Sequence, residues 1–431
     1  MPIIIDLKKA IQQYKLQMGY LKGVYTGSIK EKLFTVAFLI MGIYPLIPQK
    51  AESFSVILFI SLTGIIFLLN NKKSIAIKPL LISSSLFIII FLSMLFSDDK
   101  NAGLKKTETM LSLIIFPIVF SIFLENIKTN YKRLLNLFFK TFFISNVIYA
   151  LIAFYFISKY RSPKFPIKDA SFFRAAVSDI PLIGEHPIYL SIFLSIAILF
   201  GIHLFKKARE NKVNNSLVFL GLIVILYLLI LLMSKGVIIA LFVALLVLLL
   251  SKIKKKYIIL LFFSFFLVVI FLPESNNRFN ELFSKETYNS TNLNNSTNIR
   301  VNILKCSIDK ALENPFFGYG IGDVQGELDN CYENKRLKYK IGKYNSHNQY
   351  LFIWLSTGVF GLLLFVFYLV FYFKIAITYK DYLMLSTIVL YVIAFLFENV
   401  LSRQSGVILF SFLINFMVWR NTRINQTFYE Q

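Results

Sequence analysis

The sequence predicts an all-α polytopic membrane protein, with about twelve transmembrane helices and one large extramembrane loop that contains short helices. Three observations carry this. Of 431 residues, 57% are hydrophobic, and the mean hydropathy is +0.66, more apolar than soluble domains. Apolar runs long enough to cross a bilayer recur from end to end. The lysines and arginines, which give a net charge of +23, fall in small clusters between those runs, the positive-inside pattern. The runs are continuous and do not alternate, which excludes a β-barrel. No basic domain stands apart to bind nucleic acid.

Met1 to Lys32 carries Lys8, Lys9, Lys15, Lys22, Lys30 and Lys32 and has no signal-peptide core with a cleavage site. It is expected to be a cytoplasmic segment on the membrane surface. The predicted spans follow: Leu33–Pro48, Phe54–Leu69, Leu80–Phe96, Met110–Leu124, Leu134–Ile157, Ile188–Leu204, Leu217–Met233, Val237–Leu250 and Tyr257–Leu272, then Tyr350–Phe373, Tyr382–Phe397 and Val407–Trp419. The short ones need flanking residues or tilt. The chain thus divides into a segment 1–32, nine spans over 33–272, a loop over 273–347, three spans over 348–419 and a cytoplasmic tail 420–431. With the N-terminus inside, every inner loop is basic, for example Lys72, Lys73 and Lys78, or Lys252 and Lys254 to Lys256. Long loops are exempt from the rule, so 273–347 is predicted to be periplasmic.

That loop spends about 75 residues outside the apolar runs, a length that is usually functional or disordered. Asn289 to Asn298 is an Asn/Ser/Thr tract expected to be flexible. Arg300 to Leu312 is a short helix, with Leu304, Ile308, Ala311 and Leu312 on one face, expected to dock on the membrane domain. Cys306 and Cys331, the only cysteines, either pair in an oxidising compartment or stay as two thiols. Nothing resembles a zinc site.

Sorted by side, the unusual polar residues converge on the outer face: Arg174, His186, Lys235, Arg300 and His347. His203 falls near the inner end of its span. A cationic cluster at the membrane edge suits an anionic headgroup, and arginine suits a diphosphate because its planar fork makes bidentate contacts. A histidine can take a proton from an attacking hydroxyl. There is no Asp-x-Asp pair, and Asp98 and Asp99 are adjacent, so their side chains diverge. Leaving-group charge would then be met by fixed cations, without a metal. Each residue has an ordinary reading too: a solvated loop arginine, an interfacial histidine, a cation expected in a turn. Gly358 and Gly361 read as helix-packing positions.

Taken in order, Arg300, Asn314-Pro315-Phe316-Phe317-Gly318-Tyr319-Gly320-Ile321-Gly322, His347-Asn348 with Leu351, and Gly358 with Gly361 resemble the O-antigen ligase and polymerase superfamily. Arg174 with His186-Pro187-Ile188-Tyr189-Leu190 looks like that family's smaller outer loop. Ser234-Lys235-Gly236 looks like its Ser-Arg-Gly turn, with lysine for arginine. The resemblance implies a glycosyltransferase of the bacterial inner membrane, with its active site facing the periplasm. It would move a glycan from an undecaprenyl-diphosphate carrier to a lipid A-core or other acceptor, with no metal or cofactor. His347 would be the catalytic base, Arg174 and Arg300 would hold the diphosphate, and Lys235, His186 and Asn348 would bind substrate. A polymerase of the same fold is the alternative. A lipid-linked-glycan flippase is the alternative of another class. It needs a charged route through the bundle, and among the spans only Lys140 stands out.

Overall fold

The computed structural model describes residues 29–70, 75–125, 131–161, 170–207, 212–250, 296–335 and 344–429. Every regular element among them is helical. They are α1 (Ile29–Gly42), α2 (Glu52–Leu68), α3 (Ile77–Leu95), α4 (Lys100–Thr109), α5 (Ser112–Ile118), α6 (Tyr131–Lys159), α7 (Ala170–Ser178), α8 (Pro187–Lys207), α9 (Lys212–Leu231), α10 (Lys235–Leu250), α11 (Ser296–Glu313), α12 (Val324–Asn334), α13 (Gln349–Thr378), α14 (Tyr382–Ala394) and α15 (Gln404–Tyr429). Each predicted span within the described residues overlaps one of these helices. The predicted span Tyr257–Leu272 and most of the segment 1–32 lie outside them. Five helices are long and apolar enough to cross a bilayer, or six if α4 and α5, bent by 42° at their junction, make one span. Helices α9, α10 and α14 are apolar but shorter.

Two helices form the axis. Every residue of α15 from Ser405 to Asn421 is buried, and so is α8 from Pro187 to Gly201. A helix that is apolar all round needs protein or lipid on every side, and here the protein supplies it. Aromatic rings knit α15 to its neighbours: Phe412 lies 5.1 Å from Phe138 of α6 and 5.5 Å from Phe59 of α2. At the end of the bundle away from His347, Trp419 Nε1 donates to the Leu124 carbonyl (3.1 Å). Arg420, expected to begin a tail, is instead buried and paired with Asp381, because α15 continues through it. Lys140, the one cation noted within a span, is exposed on α6 and lines no route through the bundle.

The predicted span Tyr350–Phe373 is not a continuous helix. At Gly358 the backbone of α13 turns to φ 70°, ψ −173°, a conformation that a side chain opposes. The carbonyls freed by the break are taken by the loop that follows α11. Tyr319 N–H donates to Leu355 O (2.7 Å) and Gly320 N–H to Ser356 O (3.1 Å), while Val359 N–H donates to Pro315 O (2.8 Å). A Cβ on Gly358 would stand 1.9 Å from Phe316 O. The Asn-Pro-Phe-Phe-Gly-Tyr-Gly stretch is thus spliced into a broken helix. Its continuation meets the turn before α4: the Asp323 carboxylate accepts Asp98 N–H (2.6 Å) and Asp99 N–H (2.8 Å), and Gly322 N–H donates to Ser97 Oγ (2.9 Å).

Helix α11 starts earlier than the sequence suggests, at Ser296, where Asn302 Nδ2 bonds Asn298 Oδ1 (2.7 Å) and lengthens the helix. Its inward face is also rotated from the expected one. Ile303, Cys306, Ser307 and Ala311 are buried, whereas Leu304, Ile308 and Leu312 are exposed. The buried face carries the disulfide: Cys306 is bonded to Cys331 of α12, with Cα atoms 5.9 Å apart. Lys310 adds ion pairs to Glu313 (2.7 Å) and Glu327 (3.1 Å). The exposed residues continue into Phe316 and Phe317, whose rings lie 6.5 and 6.3 Å from Phe360 of α13.

Candidate active site

Six separate segments meet at one end of the bundle. Pro187 begins α8 at the position where a missing N–H costs nothing, so His186 stands at the helix mouth and accepts Leu190 N–H through its carbonyl (3.0 Å). Between α9 and α10 the chain turns tightly through Met233, at φ 47°, and puts Lys235 in the first turn of α10. Arg174 reaches this turn from α7, its Nη1 donating to Leu232 O (3.0 Å) and Ser234 Oγ (3.3 Å). Ser191 of α8 holds the same Ser234 hydroxyl (2.8 Å). Arg300 arrives on α11, fixed by the glycine-rich splice and the disulfide.

Arg174, Lys235 and Arg300 line one cavity of about 150 Å³, with Ile188, Phe397 and Glu398 among its other walls. Glu398, in the connection between α14 and α15, is buried. Its Oε2 lies 3.1 Å from His347 Nδ1, and its Oε1 accepts Asn399 N–H (3.2 Å). Burial alone would push this carboxyl up. The hydrogen bond from His347 comes first against it, then the charges that His347 and His186 carry when protonated, then Arg300; together they outweigh burial and hold the group below the usual carboxylate range. Glu398 is therefore an anion at neutral pH, and a carboxylate only accepts. His347 Nδ1 donates to it, which leaves Nε2 as the basic nitrogen of the neutral ring. His347 itself has a left-handed backbone, φ 44°, and its N–H donates to Asn345 Oδ1 (3.0 Å).

His186 adjoins this group without lining the cavity. Burial, and then Arg403, lower its pKa to about 4; Glu398 opposes, and Arg174 and His347 add to the lowering. It is neutral at physiological pH, and its buried Nδ1 has no hydrogen-bond partner. Asn348 is committed to structure. Its Oδ1 caps α13 by accepting Leu351 N–H (3.0 Å), and its Nδ2 donates to Leu396 O (3.3 Å). That fastens the helix start to the Glu398 segment. Buried Gln349 reinforces the join, with N–H on Phe395 O (2.8 Å) and Oε1 on Leu401 N–H (2.8 Å). His203 sits sixteen residues along α8 from Pro187, about 24 Å away by helical rise, against Phe139.

Sequence reasoning missed Glu398. The signal was there: it is the only acidic residue between Asp381 and Glu430, at the end of a predicted span in a strongly basic chain. No group of three or more His, Cys, Asp and Glu side chains that could hold a metal occurs among the described residues.

The arrangement is a cationic cavity beside a histidine whose second nitrogen is held by a buried carboxylate. It can bind a multiply charged anion and take a proton next to it. Residues 220–366 match the family model described as O-antigen ligase. The match spans Lys235, α11 with Arg300, the glycine-rich splice, and His347 with the first half of α13. Arg174, His186 and Glu398 lie outside it. A comparison with curated proteins found no match.

Proposed function

We propose that this chain, whose residues 220–366 match the O-antigen ligase family model, belongs to that superfamily and transfers a glycan from undecaprenyl diphosphate to an acceptor hydroxyl on the periplasmic face of the inner membrane, without a metal. The observation that carries the reading is the meeting of three cations from three separate segments in one cavity with the carboxylate that holds His347. His347 Nε2 takes the acceptor's hydroxyl proton. The acceptor oxygen bonds to the anomeric carbon as that carbon's bond to the diphosphate oxygen breaks. The electron pair leaves on undecaprenyl diphosphate, whose charge is met by Arg174, Lys235 and Arg300. Fixed cations in a partly closed cavity stabilise such charge more than water does. On this reading the shorter apolar helices α9, α10 and α14 also cross the membrane, and the basic inner loops of the sequence are what put Arg300 and His347 on the periplasmic side.

The test is glycan transfer in membranes from the lipid-diphosphate donor, with chelator present. His347→Ala should lower transfer by about 10²- to 10⁴-fold, the usual worth of a general base, with insertion unchanged. Arg300→Lys should also damage it, since a point charge does not replace a fork. Lys235→Arg should be tolerated. His203→Ala is the control and should leave activity intact. Full activity in His347→Ala with none in His203→Ala would put the site at the other end. Ligase and polymerase separate by the glycan profile of a deletion strain: core without polymer for the first, single repeat units on the core for the second.

A further inference from the structure

The site continues into a second polar surface. From Glu398 the chain runs through Asn399 and one 3₁₀ turn, Val400–Ser402, to Arg403. Arg403 is exposed and does not line the cavity. Its guanidinium lies over the Tyr189 ring, 5.3 Å from the centroid. Tyr189 is immobilised from below, its hydroxyl donating to Asn399 O (3.1 Å) and its ring meeting His186 edge-on at 5.7 Å. Beside Arg403, the Gln404 amide donates to the exposed Ser53 hydroxyl of α2. Gln49, also exposed, donates Nε2 to Glu185 (2.9 Å), whose same oxygen accepts His186 N–H (2.7 Å). His186 feels both Arg174 of the cavity and Arg403, so cavity and surface adjoin.

We propose that this surface, Arg403 over Tyr189 with Gln49, Gln404 and Ser53, seats the acceptor as a neutral, hydroxyl-rich sugar. The proposal rests on the transferase reading above. A diphosphate is matched by the three cations of the cavity. This surface differs in kind: one guanidinium, two amides and a hydroxyl, with the buried Glu185 carboxylate behind them. Such groups donate and accept side by side, as vicinal hydroxyls require. The flat Arg403–Tyr189 pair offers a rigid face for a sugar ring, and such a pair is more stable when partly desolvated. Arg403 and Glu398 belong to one short segment, so the acceptor seat and the base's partner are held by the same backbone. Donor selection then belongs to the cavity and acceptor selection to this surface.

The experiment uses the full-length protein in proteoliposomes. The donor is extracted lipid-linked glycan. The acceptor is the membrane glycolipid fraction of a strain deleted for this chain, titrated at saturating donor. Arg403→Ala should raise the apparent KM for the glycolipid about tenfold, the scale of one lost charge-assisted hydrogen bond, and Gln404→Ala about threefold to tenfold, the scale of a lost neutral one. The donor KM and the saturated rate should stay near wild type. Arg403→Lys should remain impaired, because a lysine lacks the planar face. Four outcomes overturn the proposal: a raised donor KM; recovery of wild-type KM in Arg403→Lys, which would mean an anionic acceptor; an unchanged glycolipid KM in both alanine variants; or a lowered rate with a lowered melting temperature and unchanged KM, which would mean a structural role. Wild-type protein that transfers nothing would instead refute the transferase reading.

Discussion

Replacing Glu398 by glutamine tests the mechanism at the residue that the sequence did not reveal. The exchange keeps shape and removes charge, and the surroundings decide which way the amide faces. The Oε1 position accepts Asn399 N–H at 3.2 Å, so an amide nitrogen cannot occupy it. The carbonyl oxygen stays there, and the NH₂ turns to His347 Nδ1, 3.1 Å from the present Oε2. An imidazole that accepts at Nδ1 carries its proton on Nε2, where the base needs a lone pair. A wrong tautomer of this kind costs a His-carboxylate pair up to about 10⁴-fold in rate. Glu398→Gln should therefore lower kcat by about 10²- to 10⁴-fold, the whole worth of the base. Glu398→Ala leaves the ring free to take either tautomer and should lose less. Donor KM should hold or fall in both, because a negative charge leaves the wall of a diphosphate cavity. The assay is transfer at saturating acceptor, with melting curves to certify folding. A folded Glu398→Gln protein within about threefold of wild type, or one more active than Glu398→Ala, would refute the reasoning; the same general-base scale sets that margin.

Other expectations follow from the same geometry. Gly358→Ala puts a methyl 1.9 Å from Phe316 O at a positive φ, so it should undock the 315–320 loop and abolish transfer, read together with protease sensitivity of that loop. Gly361→Ala puts a methyl 2.4 Å from Thr357 Cβ, which rotation of that side chain does not relieve, so it should lower the melting temperature, without the backbone strain of a positive φ. Breaking the Cys306–Cys331 bond, which spans 25 residues, should cost about 3 kcal/mol on loop entropy; Cys306→Ser should melt earlier, and thiol labelling of wild type should need reductant. The lowered His186 pKa means that the fold favours the neutral ring. That contribution is complete above about 6.5 and is lost as pH falls towards about 4. Wild-type melting temperature should therefore drop across that window more than that of His186→Gln. Glu398, depressed below 4.5, contributes above that pH and loses its contribution only in stronger acid.

The helices were legible because lipid demands long apolar runs with basic ends, a pattern that survives without tertiary knowledge. The cations of the site were legible for the same reason: Arg174, Lys235 and Arg300 stand out where spans end. What pairs with them was not. Glu398 at a span end resembles any interfacial charge until His347 is placed beside it from 51 residues away. Asn348 resembled a ligand-binding residue, although an Asn before an apolar helical run is an N-cap signal. Gly358 resembled a packing glycine because the N–H groups that complete its broken helix come from Tyr319 and Gly320, across the loop. The face of α11 was misjudged because Leu and Ile spacing alone does not show that the stripe with the disulfide is the one that packs inward.

The break at Gly358 also sets an altitude. The residues after it in α13, 359–378, make about 30 Å of helix, the thickness of a bilayer's hydrocarbon core. Seated in a membrane, the kink falls at the hydrocarbon edge. Phe316 and Phe317, with rings near Phe360, lie beside the kink, and the exposed Leu312, Ile308 and Leu304 precede them along α11. Residues 349–357 rise at most about 13 Å above the kink and end at His347. On the proposed reading, a donor with its tail in the membrane and its diphosphate just above would meet Arg300 and His347 at its own height, and the reaction would need no lifting of the lipid out of the bilayer.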